Sequence, residues 1–181
     1  MTSIIKNAAS LGITYTASSL SLLGSGYKPE NVFTDNDSPY FMSSNNAPNQ
    51  WWQVSFSKEV AISRYIIRTS ASYTYRPISW RILASNDNVS WKTVHTVEGK
   101  ETAGNKDWFY PSNTIHCIHF RIVVDRCSDP NSYYVAFTYF DCIGELSPAQ
   151  TNKAKHPCNT GSKQCLVSFH TYILSLVNFI T

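Results

Sequence analysis

The feature that most constrains this chain is the alternation of apolar and polar residues in short runs separated by turn formers. Trp52, Val54 and Phe56 alternate with Gln53, Ser55 and Ser57, the pattern of a strand with one buried face. In the next run, Val60 to Arg68, Val60 and Ile62 fall on one parity and Tyr65 and Ile67 on the other. An extra residue is therefore expected near Ser63 and Arg64. Ile78, Trp80, Ile82 and Ala84 alternate again, and the turn formers Ser85-Asn86-Asp87-Asn88 precede a return strand, Trp91 to Val97. That order predicts a hairpin closed by Glu98-Gly99. Ile118, Phe120, Ile122 and Val124 form a further inward row facing away from Cys117, His119 and Arg121, and Tyr133 to Ile143 ends the series. Before residue 150 no stretch keeps apolar residues at helical spacing over several turns. The chain is expected to be all-β, a sandwich or barrel.

Composition narrows the class. A chain of 181 residues with 43% hydrophobic, 14% aromatic and 15% charged residues can bury an aromatic core, which excludes disorder and coiled coil. The net charge of +3 is spread without a basic block, so nucleic acid is not an expected partner. All five cysteines, Cys117, Cys127, Cys142, Cys158 and Cys165, fall late in the chain and are odd in number, so reduced thiols are expected. The first residues carry no apolar run of signal length, which makes the cytoplasm the default location. The residues divide into 1–147, the β-rich domain; 148–165, a polar linker; and 166–181, a short apolar tail. Leu166 to Ile180 would rise only about 22 Å as a helix, short of the roughly 30 Å of a bilayer core. A segment that folds back or stays loosely ordered is the expectation, ahead of a membrane tail.

Several motifs resemble one family. Gln50-Trp51-Trp52-Gln53-Val54, the hairpin Ser85-Asn86-Asp87-Asn88-Val89-Ser90-Trp91, Phe120-Arg121-Ile122 and Ile143-Gly144-Glu145-Leu146 look like the discoidin domain. That domain is also called the coagulation factor 5/8 C-terminal domain, of galactose-binding-like fold. Asn88 stands where the family usually has Gly, a replacement a left-handed turn tolerates, and Ser55 stands where it has an acidic residue. The resemblance covers about residues 8 to 147 and implies an antiparallel β-sandwich of jelly-roll topology. It also implies a ligand-facing surface built from three loops at one end, about residues 20–33, 40–50 and 69–77.

Those loops hold the candidate ligand-binding residues Tyr27, Tyr40, Asn45, Asn46, Asn49, Tyr73, Tyr75 and Arg76. Aromatic faces stack on the C–H surfaces of sugars, a guanidinium donates in-plane hydrogen bonds, and amides serve hydroxyls. Leu22 and Leu23 beside Tyr27 resemble an apolar membrane spike, but two leucines and one lysine, Lys28, make a thin anchor. Asp35 and Asp37 lie where carbohydrate-binding relatives hold a structural calcium ion. The distant glutamate that completes that cage is replaced here by Tyr139. His156, Cys158, Cys165 and His170 lack a zinc-finger spacing. No nucleophile elbow, zinc-protease motif or phosphate-cradling loop is present, and His116 and Cys117, as strand neighbours, point to opposite faces. The expected function is non-catalytic recognition of a galactose-type or related glycan. An intracellular protein-interaction module is the alternative, and phospholipid binding ranks third.

Overall fold

The computed structural model describes residues 1–44, 47–70, 75–100, 104, 107–131 and 133–147. The expected linker and apolar tail lie outside the described residues. Among the described residues ten strands form: β1 (Thr2–Ser3), β2 (Tyr15–Ser19), β3 (Phe41–Met42), β4 (Trp51–Arg68), β5 (Pro77–Ser85), β6 (Lys92–Val97), β7 (Trp108–Phe109), β8 (Ile115–Cys127), β9 (Ala136–Phe137) and β10 (Tyr139–Leu146). Their pairings are all antiparallel. The described helical structure is a short 3-10 turn, Pro29–Phe33, and no described helix is long and apolar enough to cross a membrane.

The long strand β4 organises the jelly roll. Its first half pairs with β2 and β8, and β8 continues into β5 and β6; its second half pairs with β10 and β7. One strand thus serves both layers, and the core is what they press between them. Trp52 meets Phe140 at 4.8 Å between ring centroids, Phe120 meets Phe140 at 5.6 Å, and Trp80 meets Phe109 at 4.8 Å. Trp52, Trp80, Tyr65, Phe41, Phe120, Phe137 and Phe140 are all fully buried. Each such side chain contributes about 1.5–3 kcal/mol by leaving water.

The extra residue expected near Ser63 is found: Arg64 pairs with Ile143 and Ile62 with Gly144, which leaves Ser63 unmatched. Ser63 uses its freedom to donate from Oγ to the Ile143 carbonyl at 3.1 Å. Gly144 is required at this spot, because a Cβ there would collide with the Ala61 backbone carbonyl. The hairpin β5–β6 also forms, and Asn88 sits in its turn at φ 60°, the left-handed conformation its position demands.

Two expectations are corrected. Cys117 is buried and Ile118 only half-buried, so β8 does not keep one inward row. Its register against β4 slips between Ser55 and Val60, so Ile115 and Cys117 point inward beyond the slip, and Phe120, Ile122 and Val124 before it. Tyr133 and Tyr134 belong to a loop, and the closing strands begin only at Ala136 and Tyr139. Cys117, Cys127 and Cys142 are buried free thiols; Cys158 and Cys165 lie outside the described residues.

Candidate functional site

At the end of the sandwich where β4 and β5 begin and β8 stops, the two-residue strands β3 and β9 pair as a ribbon. Ser43 extends it: its N–H donates to the Val135 carbonyl and its Oγ accepts the Val135 N–H, both at 3.0 Å. Several predicted ligand residues hang from this ribbon. On one side Tyr27 and Tyr40 meet edge to face at 5.1 Å, the Tyr27 carbonyl accepts from Met42 N–H, and Asn31 Nδ2 donates to the Tyr40 carbonyl at 3.0 Å. On the other side the Tyr75 carbonyl accepts from Ala136 N–H at 3.2 Å, and the Tyr75 ring meets Tyr134 edge to face at 5.4 Å. The Arg76 carbonyl accepts from Ser128 N–H at 2.9 Å, which ties the third loop to the end of β8. Tyr27, Tyr40, Tyr75 and Tyr134 are half-buried and Tyr133 is exposed.

Asn49 does not join these rings. It adopts φ 60° and its Oδ1 accepts from Arg81 Nη2 at 3.2 Å, a guanidinium held by Asp125 at 2.7 Å. Asn45, Asn46 and Tyr73 lie outside the described residues. Tyr133 and Tyr134 were not among the predicted residues, because the run from Tyr133 reads as a strand. The turn formers Asp129-Pro130-Asn131 before them are the signal that could have placed them in a loop.

The carboxylates expected at a calcium ion face an internal cation. Arg68 Nη2 lies 3.3 Å from Asp35 Oδ1 and 3.5 Å from Asp37 Oδ1, and its guanidinium stands over the Tyr139 ring at 5.7 Å. Burial, and next the charge of Asp141, push the Tyr139 phenol above its usual range, so this ring offers no anionic ligand. Among the described residues no group of three or more His, Cys, Asp or Glu could hold a metal ion. The donor set therefore does not fit calcium: a guanidinium already supplies the positive charge.

The model of the F5/8 type C domain matches residues 14–135. The chain belongs to that family. No curated protein matches it. Among solved structures, this F5/8 type C domain is similar to chitosan-binding module 1 of a chitosanase/glucanase from Paenibacillus sp. IK-5. That match has TM-score 0.60 and 22% identity over 74% of this chain and 98% of that one. The family 32 carbohydrate-binding module of NanJ from Clostridium perfringens, in complex with galactose, matches at TM-score 0.62 and 15% identity, over 78% and 97%. A further C. perfringens module, CpGH89CBM32-5, in complex with GalNAc-β-1,3-galactose, matches at TM-score 0.61 and 8% identity, over 72% and 95%. These likenesses establish a shared jelly-roll sandwich.

The family motifs of this F5/8 type C domain build a scaffold on the outer sheet face. Arg121 lies between two indoles, 4.1 Å from Trp51 and 3.8 Å from Trp91. Its Nε and Nη2 donate to Gln53 Oε1 at 3.0 and 2.8 Å; Gln53 Nε2 donates to Ser55 Oγ at 2.8 Å; Ser55 Oγ shares a further hydrogen bond with His119 Nδ1 at 2.8 Å. Burial, and next the charge of Arg121, hold His119 below the usual imidazole range, which favours the neutral ring. At the far end of the sandwich a hollow of about 560 Å³ is lined by polar side chains such as Asn86, Lys92, Thr114 and His116, and by no Phe, Tyr or Trp ring. A sugar would find hydrogen-bond partners there but no tyrosine or tryptophan face to stack on.

Proposed function

We propose that this domain is a non-catalytic carbohydrate-binding module that takes a galactose-type or related glycan on the rim of loops around β3 and β9. The observation that carries this reading is the pair of tyrosine clusters, Tyr27–Tyr40 and Tyr75–Tyr134, fixed to one ribbon at one end of the sandwich. Edge-to-face pairing leaves each ring partly open, and a rigid backbone ribbon keeps the rings positioned without cost at the moment of binding. Solved modules of the same fold that hold galactose and GalNAc-β-1,3-galactose support the ligand class. Nothing in the reading requires bond making or breaking.

The test is a glycan array probed with the full chain, followed by calorimetry on the best ligand. Galactose-containing glycans should be retained, and Tyr75→Ala with Tyr134→Ala should weaken binding by about tenfold or more, as expected for two aromatic contacts. A blank array, or binding indifferent to both substitutions, overturns the reading. A protein partner is the second reading, favoured by the exposed Leu20, Leu22 and Leu23 beside the same rim, which are 51%, 39% and 43% exposed.

A further inference from the structure

A second guanidinium on the flank of the sandwich has surroundings unlike those of its neighbours. Arg64 follows the Ser63 bulge on β4, opposite Ile143 of β10 and beside β7. Its guanidinium carbon lies 5.0 Å from the Trp108 ring centroid and 5.9 Å from that of Tyr110, and Nη1 donates to the Tyr110 hydroxyl at 3.3 Å. Nε is buried and has no hydrogen-bond partner. Arg68 faces Asp35 and Asp37 and Arg81 grips Asp125, but no described carboxylate pairs with Arg64. Beside it opens a hollow of about 290 Å³ lined by Met1, Ser63, Arg64, Tyr110 and Ile143. Tyr110 is 62% exposed, a large aromatic side chain held open at the mouth of this hollow.

The chemistry of that arrangement is incomplete. A partly desolvated cation is stabilised by ring faces but lacks the in-plane acceptor that a guanidinium fork matches best, namely the two oxygens of a carboxylate or sulfate. The exposed Tyr110 ring offers the stacking surface that a sugar carrying such a group needs, and the hollow lies at the small end of ligand sites. We propose that Arg64, Trp108 and Tyr110 form a lateral site, separate from the loop rim, for an oxyanion carried on a sugar. The oxyanion part stands on the geometry above; the sugar part rests on the carbohydrate reading of the rim.

The experiment is an NMR titration of the isotope-labelled full chain, read at the Arg64 Nε–H and the Trp108 indole N–H. The probes are sodium glucuronate, galactose 6-sulfate and galactose. Saturable shifts of both signals with either charged sugar, and none with galactose, are expected; which one acts distinguishes carboxylate from sulfate. Arg64→Gln, which removes the first reporter and is read at the Trp108 indole N–H alone, should weaken that response by about tenfold or more, as for loss of a charge-assisted pair. Tyr110→Ala, at an exposed position, should weaken it severalfold and provides the check if the first variant folds poorly. Tyr75→Ala should leave it unchanged. The proposal is overturned if neither charged sugar moves the two signals, if galactose moves them equally, or if both Arg64→Gln and Tyr110→Ala leave the response intact. Failure of the rim reading would instead show as silence at Tyr75 and Tyr134 toward neutral glycans, which leaves the Arg64 readout untouched.

Discussion

The core holds a hydrogen-bond chain that satisfies its buried protons in one direction. Trp80 Nε1–H can only donate, and it donates to the Tyr65 hydroxyl at 3.0 Å; the hydroxyl's own proton is satisfied when His95 Nδ1, 2.9 Å away, carries no proton and accepts it. Tyr65 and Trp80 are both fully buried, while His95 is half-buried. In Tyr65→Phe the indole N–H loses its partner in a dry site, which costs about 1–3 kcal/mol; the bond to the half-exposed imidazole adds little. A loss of about 2 kcal/mol moves a urea midpoint by about 1 M, since slopes for small domains run at about 1–3 kcal/mol/M. The chain also sets a pH dependence. Burial lowers the His95 pKa from its ordinary value, so the folded state binds fewer protons than the unfolded one. The stability from this site is complete above the unfolded value of about 6.5 and is lost as pH falls through the lower folded value. A protonated Nδ1 would donate to Tyr65 and leave its hydroxyl proton with no acceptor. Urea unfolding of wild type and Tyr65→Phe, followed by tryptophan fluorescence from pH 8 to about pH 4.5, should show a gap that narrows with acid. Contributions from groups remote from Tyr65 cancel in that difference. A gap below about 0.5 kcal/mol at pH 8, or one that stays constant through the acid range, would refute the directional chain.

Two further outcomes follow from the packing. Gly144→Ala should destabilise the domain by about 1–3 kcal/mol or more in thermal or urea unfolding, because the added methyl meets the Ala61 backbone and not a side chain that can swing away. Cys117, Cys127 and Cys142 should resist a thiol-modifying reagent in the native protein and react on denaturation, as mapped by mass spectrometry. Burial pushes the Cys117 and Cys127 thiols up to about 12 and raises that of Cys142 well above its ordinary value.

What was legible in the sequence was whatever depends on neighbours along the chain. The period-two runs mark β4 and β5, the turn formers after Ala84 mark the return into β6, and Asn88 could be placed in a left-handed turn because only its own backbone is at issue. What depends on a distant partner was not. The ribbon that carries the rim pairs Phe41–Met42 with Ala136–Phe137, two residues a side, too short for any periodicity. The parity change in β8 arises from a slip against β4, not from its own residues. Asp35 and Asp37 carry the oxygen chemistry of a cation site, but the cation they face is Arg68, whose approach depends on the fold.

The Ser63 bulge links the core to the flank more directly than any other feature. With Val60 and Ile62 inward, uninterrupted alternation would send Arg64 into the core and Tyr65 out to solvent. Burying an unpaired guanidinium costs far more than one unmatched strand residue, so the extra residue is the cheaper arrangement. It turns Tyr65 inward, stacked on Phe109 at 5.4 Å and bonded to Trp80, and turns Arg64 outward beneath Trp108 and Tyr110. The cation that must leave the core thus emerges where β7 supplies aromatic cover but no counter-charge. The same one-residue insertion that completes the hydrogen-bond chain inside leaves, on the outside, a guanidinium that can still accept an anion.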